Sequence, residues 1–102
     1  MGILIVWLLG SGVIPADAKQ PLFDAYKRMI VLDPGHGGRD IGARGADGAL
    51  EKAVAMELAQ LIAAQLQRDY KVTLTRTDDY HVDLDNRTAL ANHLKADLFV
   101  SL

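Results

Sequence analysis

Hydrophobic positions between residues 29 and 102 alternate between two periods. Met29-Ile30-Val31-Leu32 is a short, β-branched-rich run ended by Asp33-Pro34-Gly35, which reads as a buried strand followed by a turn. Between Pro34 and Gly48 lie six glycines, at 35, 37, 38, 42, 45 and 48, the mark of a long irregular loop. Glu51 to Arg68 then follows the helical period. Val54, Leu58, Leu61, Ile62 and Leu66 form an apolar face, with Glu57, Gln60, Gln67 and Arg68 opposite. Val72-Thr73-Leu74-Thr75 reads as a second strand. Asp85 is placed to cap a second helix running to Lys95, with Leu90, Ala91 and Leu94 as its apolar stripe. Leu98-Phe99-Val100-Ser101-Leu102 reads as a third strand, apolar enough to be central and buried on both faces in a full domain, with its edge and one face expected to be uncovered where later elements are missing. The order β-α-β-α-β predicts an α/β fold, with a mostly parallel sheet, right-handed crossovers and flanking helices.

The N-terminal pattern is different. Residues 2–14 carry no charge, and Pro15 and Ala16-Asp17-Ala18 follow, the small-x-small pattern of a signal-peptidase site. No Lys or Arg precedes the run, and it is too short to span a bilayer as a helix of about 20 apolar residues. The expected division is a signal peptide over 1–18 and a single domain over 19–102, exported to the periplasm or the extracellular cell wall, with no stable membrane span.

Composition narrows the chemistry. Half of the 102 residues are apolar and 24% are charged, the balance of one globular domain. Lys and Arg number 11 against 13 Asp and Glu, a net charge of −2, which argues against a nucleic-acid partner. The chain has no cysteine, so a metal would be held by His, Asp or Glu. Ligands of parallel sheets bind beyond the carboxyl ends of the strands, here the loop from Asp33 to Asp40. Its glycines fail the dinucleotide spacing, since Asp40 stands where the third glycine belongs, and no Gly-Lys-Ser/Thr is present. What remains is His36, set between glycines, and Glu51 at the start of the first helix. Both are suited to metal ligation, and both are equally suited to a solvated loop and a complement to the helix dipole. His81 and His93 read as solvated side chains away from the glycine loop.

The wider context carries more. Asp33-Pro34-Gly35-His36-Gly37-Gly38-x-Asp40-x-Gly42-Ala43 is followed by Gly48-x-x-Glu51-Lys52 and by Leu74-Thr75-Arg76-x-x-Asp79. Leu84-x-x-Arg87-x-x-x-Ala91-Asn92 and Ala96-Asp97-Leu98-Phe99-Val100-Ser101 complete the series. From Met29 to Leu102 this resembles the zinc-dependent N-acetylmuramoyl-L-alanine amidases of bacterial cell walls. The resemblance implies an α/β fold, Zn2+ as cofactor, and His36 and Glu51 as metal ligands. It implies hydrolysis of the amide between N-acetylmuramic acid and the L-alanine of the stem peptide, with peptidoglycan as partner and a regulatory protein left open. The family's third ligand, a His after the Ser-hydrophobic pair, and its general-base Glu fall beyond Leu102, so no catalytic base is assigned here. Together with an end inside an apolar strand, this leads to the expectation of a C-terminally truncated catalytic domain, incomplete and inactive as written. The alternative is a non-catalytic amidase-derived fragment or cell-wall binding module. Arg76, Arg87 and Asn92 also match family positions and read as structural, holding loops and helix ends by hydrogen bonds.

The leader makes the first testable expectation. Residues 1–25 fused to a reporter active only outside the cytoplasm should yield exported protein beginning at Lys19, checked by N-terminal sequencing. A reporter that stays uncleaved and cytoplasmic removes the argument for export.

Overall fold

A computed structural model describes residues 27–102; the signal peptide expected over residues 1–18 lies outside the described residues. Strand β1 (Met29–Asp33) is followed by helix α1 (Glu51–Leu66), strand β2 (Lys71–Leu74), helix α2 (Leu84–His93) and strand β3 (Leu98–Ser101). The β-α-β-α-β reading is therefore observed, with element ends shifted by at most a few residues. The three strands form one sheet in the order β2-β1-β3, and both pairings are parallel. Ile30 stands opposite Val72 and Leu98, and Asp33 opposite Ser101.

Among the described residues the middle strand is β1. Ile30, Val31 and Leu32 are buried, whereas Leu98 is 54% exposed. Among the described residues β3 pairs with β1 alone, leaving its other edge open.

The helices also depart from the expected faces. Helix α1 packs on β1 and β2 through Ala55 and Ala59, both buried, with Ile62 and Leu66 half-buried beside them. Val54, Leu58 and Leu61 point away and are exposed. The contact row is thus the alanine-bearing side, where small side chains let the helix approach the sheet closely. Helix α2 begins at Leu84, and Asp83, not Asp85, precedes it. Asp83 gives no side-chain cap, because its Oδ1 accepts from His81 Nε2 at 3.0 Å.

The ends of the strands are tied by a buried polar knot. Asp33, at the end of β1, accepts on Oδ1 from Thr75 Oγ1 at 2.6 Å and from Arg87 Nη1 at 2.8 Å. Its Oδ2 accepts from Ser101 Oγ at 3.0 Å. One carboxylate therefore binds the ends of all three strands and the first turn of α2. Burial pushes the Asp33 carboxyl up, but the hydrogen bonds from Thr75, Arg87 and Ser101, with the charge of Arg87, outweigh it and hold the carboxyl below its ordinary range.

Removing one partner of a buried charge pair leaves the other uncompensated. Arg87→Ala should cost about 3–5 kcal/mol in denaturant unfolding. Because the Asp33 carboxyl is depressed in the folded state, its contribution is complete above the unfolded carboxyl value of about 3.9 and is lost as pH falls through the folded value. The denaturation midpoint should therefore fall on acidification below about pH 4, and Asp33→Asn should flatten that dependence.

Candidate metal centre

Just beyond β1 the chain runs against the sheet's end with its carbonyls pointing inward. Two arginines satisfy them. Arg76, 2% exposed, donates from Nε to Pro34 O at 3.0 Å and from Nη2 to Gly35 O and Lys52 O, both at 2.8 Å. Arg87, 3% exposed, donates to Pro34 O, His36 O and Val82 O, each at 2.8 Å. These guanidiniums are structural, as their sequence positions suggested, and they fix the backbone that carries His36. The Asn92 backbone carbonyl accepts from Lys95 N–H at the end of α2, while its side chain lies at the surface.

His36 itself is held in the left-handed region, with φ of 62°. That conformation is uncommon for a residue with a Cβ and persists because the bonds to its neighbours over-determine it. After it the chain turns back at once. Gly37 N–H donates to Asp40 O at 2.7 Å and Asp40 N–H to Gly37 O at 3.1 Å. The Asp40 side chain then faces the ring, with His36 Nδ1 donating to Asp40 Oδ1 at 2.9 Å. Gly42 N–H also donates to Asp40 Oδ1, at 3.2 Å.

A second small hairpin brings the chain to α1. Arg44 bridges Leu50, and Glu51 N–H donates to Ala43 O at 2.9 Å. Glu51 returns the contact from its side chain, since Ala43 N–H donates to Oε1 at 2.9 Å. Its other oxygen, Oε2, lies 2.7 Å from His36 Nε2. The two residues that sequence picked out, fifteen positions apart, are thus in direct contact at the carboxyl end of β1. Between their side chains sits Gly42, with φ of 69°. A Cβ there would lie 2.7 Å from His36 Cδ2 and 2.8 Å from Glu51 Cβ.

The electrostatics follow from the geometry. Hydrogen bonds to Asp40 and then Glu51 raise the His36 imidazole above its ordinary 6.5. The Ala43 N–H and then His36 hold Glu51 below the usual carboxylate range, and His36 does the same to Asp40. Each ring nitrogen faces a carboxylate acceptor, an arrangement that favours the protonated ring. A metal taking Nε2 would displace the proton directed at Glu51 and leave the one directed at Asp40.

Lys52, the next residue, grips the loop from its other side. Its Nζ donates to Gly38 O at 2.9 Å and to Asp79 Oδ2 at 2.8 Å, while Gly38 N–H donates to Asp79 Oδ1 at 2.8 Å. Lys52, Asp79 and Asp40 stand in the sequence motifs, but the first two act across long separations that spacing alone does not reveal. Asp40 had a readable signal, a carboxylate four residues after a glycine-flanked histidine.

His36, Asp40 and Glu51 open into a cleft of about 1040 Å³ that Val82, Leu84 and Ser101 also line. His81 lies in the same cleft, its backbone against Gly38, which corrects the expectation that it stands away from the glycine loop. The reason is the Lys52–Asp79 clamp, which draws the segment after β2 over that loop. His93 is exposed at the end of α2, as expected. Among the described residues no three His, Asp or Glu side chains surround a common point.

Gly42→Ala should part His36 from Glu51. The left-handed backbone adds about 1–2 kcal/mol of strain, so unfolding should occur at lower denaturant. In a nuclear magnetic resonance pH titration, the His36 ring should titrate closer to its ordinary value than in the parent chain. An unchanged titration would mean that the Glu51 contact does not govern the ring.

Comparison with known proteins matches this chain to one family. Residues 30–102 match the family described as "Amidase_3: N-acetylmuramoyl-L-alanine amidase". The N-acetylmuramoyl-L-alanine amidase AmiA of Salmonella typhimurium is 43% identical over 77 residues, covering 74% of this chain and 27% of the relative. The amidase AmiC of Escherichia coli O6:H1 is 41% identical over 76 residues, covering 72% of this chain and 18% of its own length. The chain thus spans between about a fifth and about a quarter of these two relatives. Among solved structures, amidase AmiC2 of Nostoc punctiforme superposes with a TM-score of 0.70 at 43% identity, covering 72% of this chain and 42% of that one. The catalytic domain of the amidase CwlV from Bacillus (Paenibacillus) polymyxa var. colistinus gives a TM-score of 0.70 at 36% identity, with 72% and 43% covered. On the match over residues 30–102, and on a fold shared with these structures, the chain belongs to the N-acetylmuramoyl-L-alanine amidase family.

Proposed function

We propose that this chain contributes the first two ligands of a zinc centre in an exported peptidoglycan amidase, one that cleaves the amide between N-acetylmuramic acid and the L-alanine of the stem peptide. The observation that carries the reading is the meeting of His36 Nε2 and Glu51 Oε2, 2.7 Å apart, at the strand end of a family member. An imidazole nitrogen and a carboxylate oxygen are both good zinc donors. Neighbouring donors on a tetrahedral ion stand about 3.3 Å apart, so a small opening of this pair admits one. The side chains are 29% and 45% exposed, which leaves them room to part.

A zinc ion bound there would polarise the scissile carbonyl and lower the pKa of a bound water towards about 7. The chain's own residues hold these two donors in place. Arg76 and Arg87 hold the backbone on which His36 rides, and Ala43 N–H aims the Glu51 carboxylate. The Lys52–Asp79 clamp keeps the glycine loop folded beside the cleft into which a glycan strand and its peptide would enter. Among the described residues no helix is long and apolar enough to cross a membrane.

The test is a chimera in which residues 30–102 replace the matching part of an active relative. It should release stem peptides with free L-alanine amino termini from purified peptidoglycan. His36→Ala or Glu51→Gln should lower that release at least about 100-fold, since each removes a ligand to an ion supplying several kcal/mol. A folded, zinc-loaded chimera without activity would sink the amidase reading. Retention of sacculi by an inactive chimera would support a wall-binding role instead.

A further inference from the structure

Neither ring nitrogen of His36 is free in this structure, and the two partners differ in how they are held. Glu51 approaches Nε2 from a separate element, at the first residue of α1. Asp40 approaches Nδ1 from four residues away in the same tight turn. Its backbone is fastened to Gly37 by two hydrogen bonds, and its Oδ1 also receives Gly42 N–H. Glu51 is anchored as well, by Ala43 N–H on Oε1, but it reaches the ring from a separate element, whereas Asp40 and the ring share one closed turn that fixes Oδ1 against Nδ1.

A carboxylate only accepts hydrogen bonds, so the nitrogen facing Asp40 must carry a proton. A neutral imidazole has one proton. If it is held on Nδ1, the lone pair is left on Nε2, the nitrogen that faces Glu51 and the cleft. We propose that Asp40 is a positioning residue, which keeps the His36 proton on Nδ1 and so presents Nε2 as the donor to a metal. The role rests on the zinc reading above but goes beyond it, since Asp40 would act through the histidine and not as a ligand. The pattern follows the general behaviour of histidines at metals, whose second nitrogen is oriented by a carboxylate or carbonyl.

The test has two arms on the full chain. In the first, no metal is present. Histidine-labelled Glu51→Ala leaves Asp40 as the carboxylate on the ring, and nitrogen chemical shifts are read at a pH where His36 is neutral. Nδ1 should carry the proton in that variant, and adding Asp40→Ala should move it largely to Nε2. A bare Nδ1 in Glu51→Ala, or no change on removing Asp40, would overturn the proposal.

In the second arm, zinc is titrated against a competing chelator. Asp40→Ala should weaken binding about 10–100-fold. Asp40→Asn, oriented by the same backbone and still able to accept from Nδ1, should recover most of it. Equal loss in both variants would mark Asp40 as a ligand or a charge partner and sink the positioning role. If the parent and His36→Ala bind zinc alike, the zinc reading fails, and the metal-free arm still decides which nitrogen Asp40 holds.

Discussion

The buried Asp33 carboxylate is the constraint on which the rest of this structure depends. Charge removed from water is costly unless it is paired and its remaining lone pairs are satisfied. Asp33 meets both conditions by collecting Thr75, Arg87 and Ser101, which come from three different parts of the chain. The demand for partners at one point brings the ends of β1, β2 and β3 level and draws the start of α2 to them. Arg87, once drawn in, has donors left over, and these reach Pro34 O and His36 O. Strand alignment and placement of the histidine are consequences of the same pair.

This arrangement also protects register. A parallel strand that slips by two residues keeps its side-chain faces and much of its apolar contact. Such a slip would carry Ser101 or Thr75 away from Asp33 and leave a buried carboxylate short of donors. The polar knot therefore penalises the error that hydrophobic pairing alone would tolerate.

The sequence shows some of this clearly and some not at all. The five elements were legible because strand and helix periods alternate with turn residues, and His36 and Glu51 stood out as donor types beside a glycine-rich strand end. Val54, Leu58 and Leu61 belong to the apolar face of α1 yet are exposed, because helical periodicity identifies an apolar face without saying which side meets the sheet. Here the alanines meet it. Asp83 and His81 pair with each other, so the helix start and the cleft wall both differ from what local signals suggest. The Lys52–Asp79 clamp was invisible because nothing local marks a contact over 27 residues.

The left-handed backbone at His36 bears on how this position can be interrogated. A residue with φ of 62° is confined to a region that glycine enters freely, that asparagine tolerates, and that β-branched residues resist. Side chains at position 36 are therefore filtered twice, once by what they can donate to the cleft and once by whether the main chain can turn there. Loss of function on replacement by valine or isoleucine would mix the two causes. Asparagine and glycine separate them, because they discard the imidazole while leaving the turn intact.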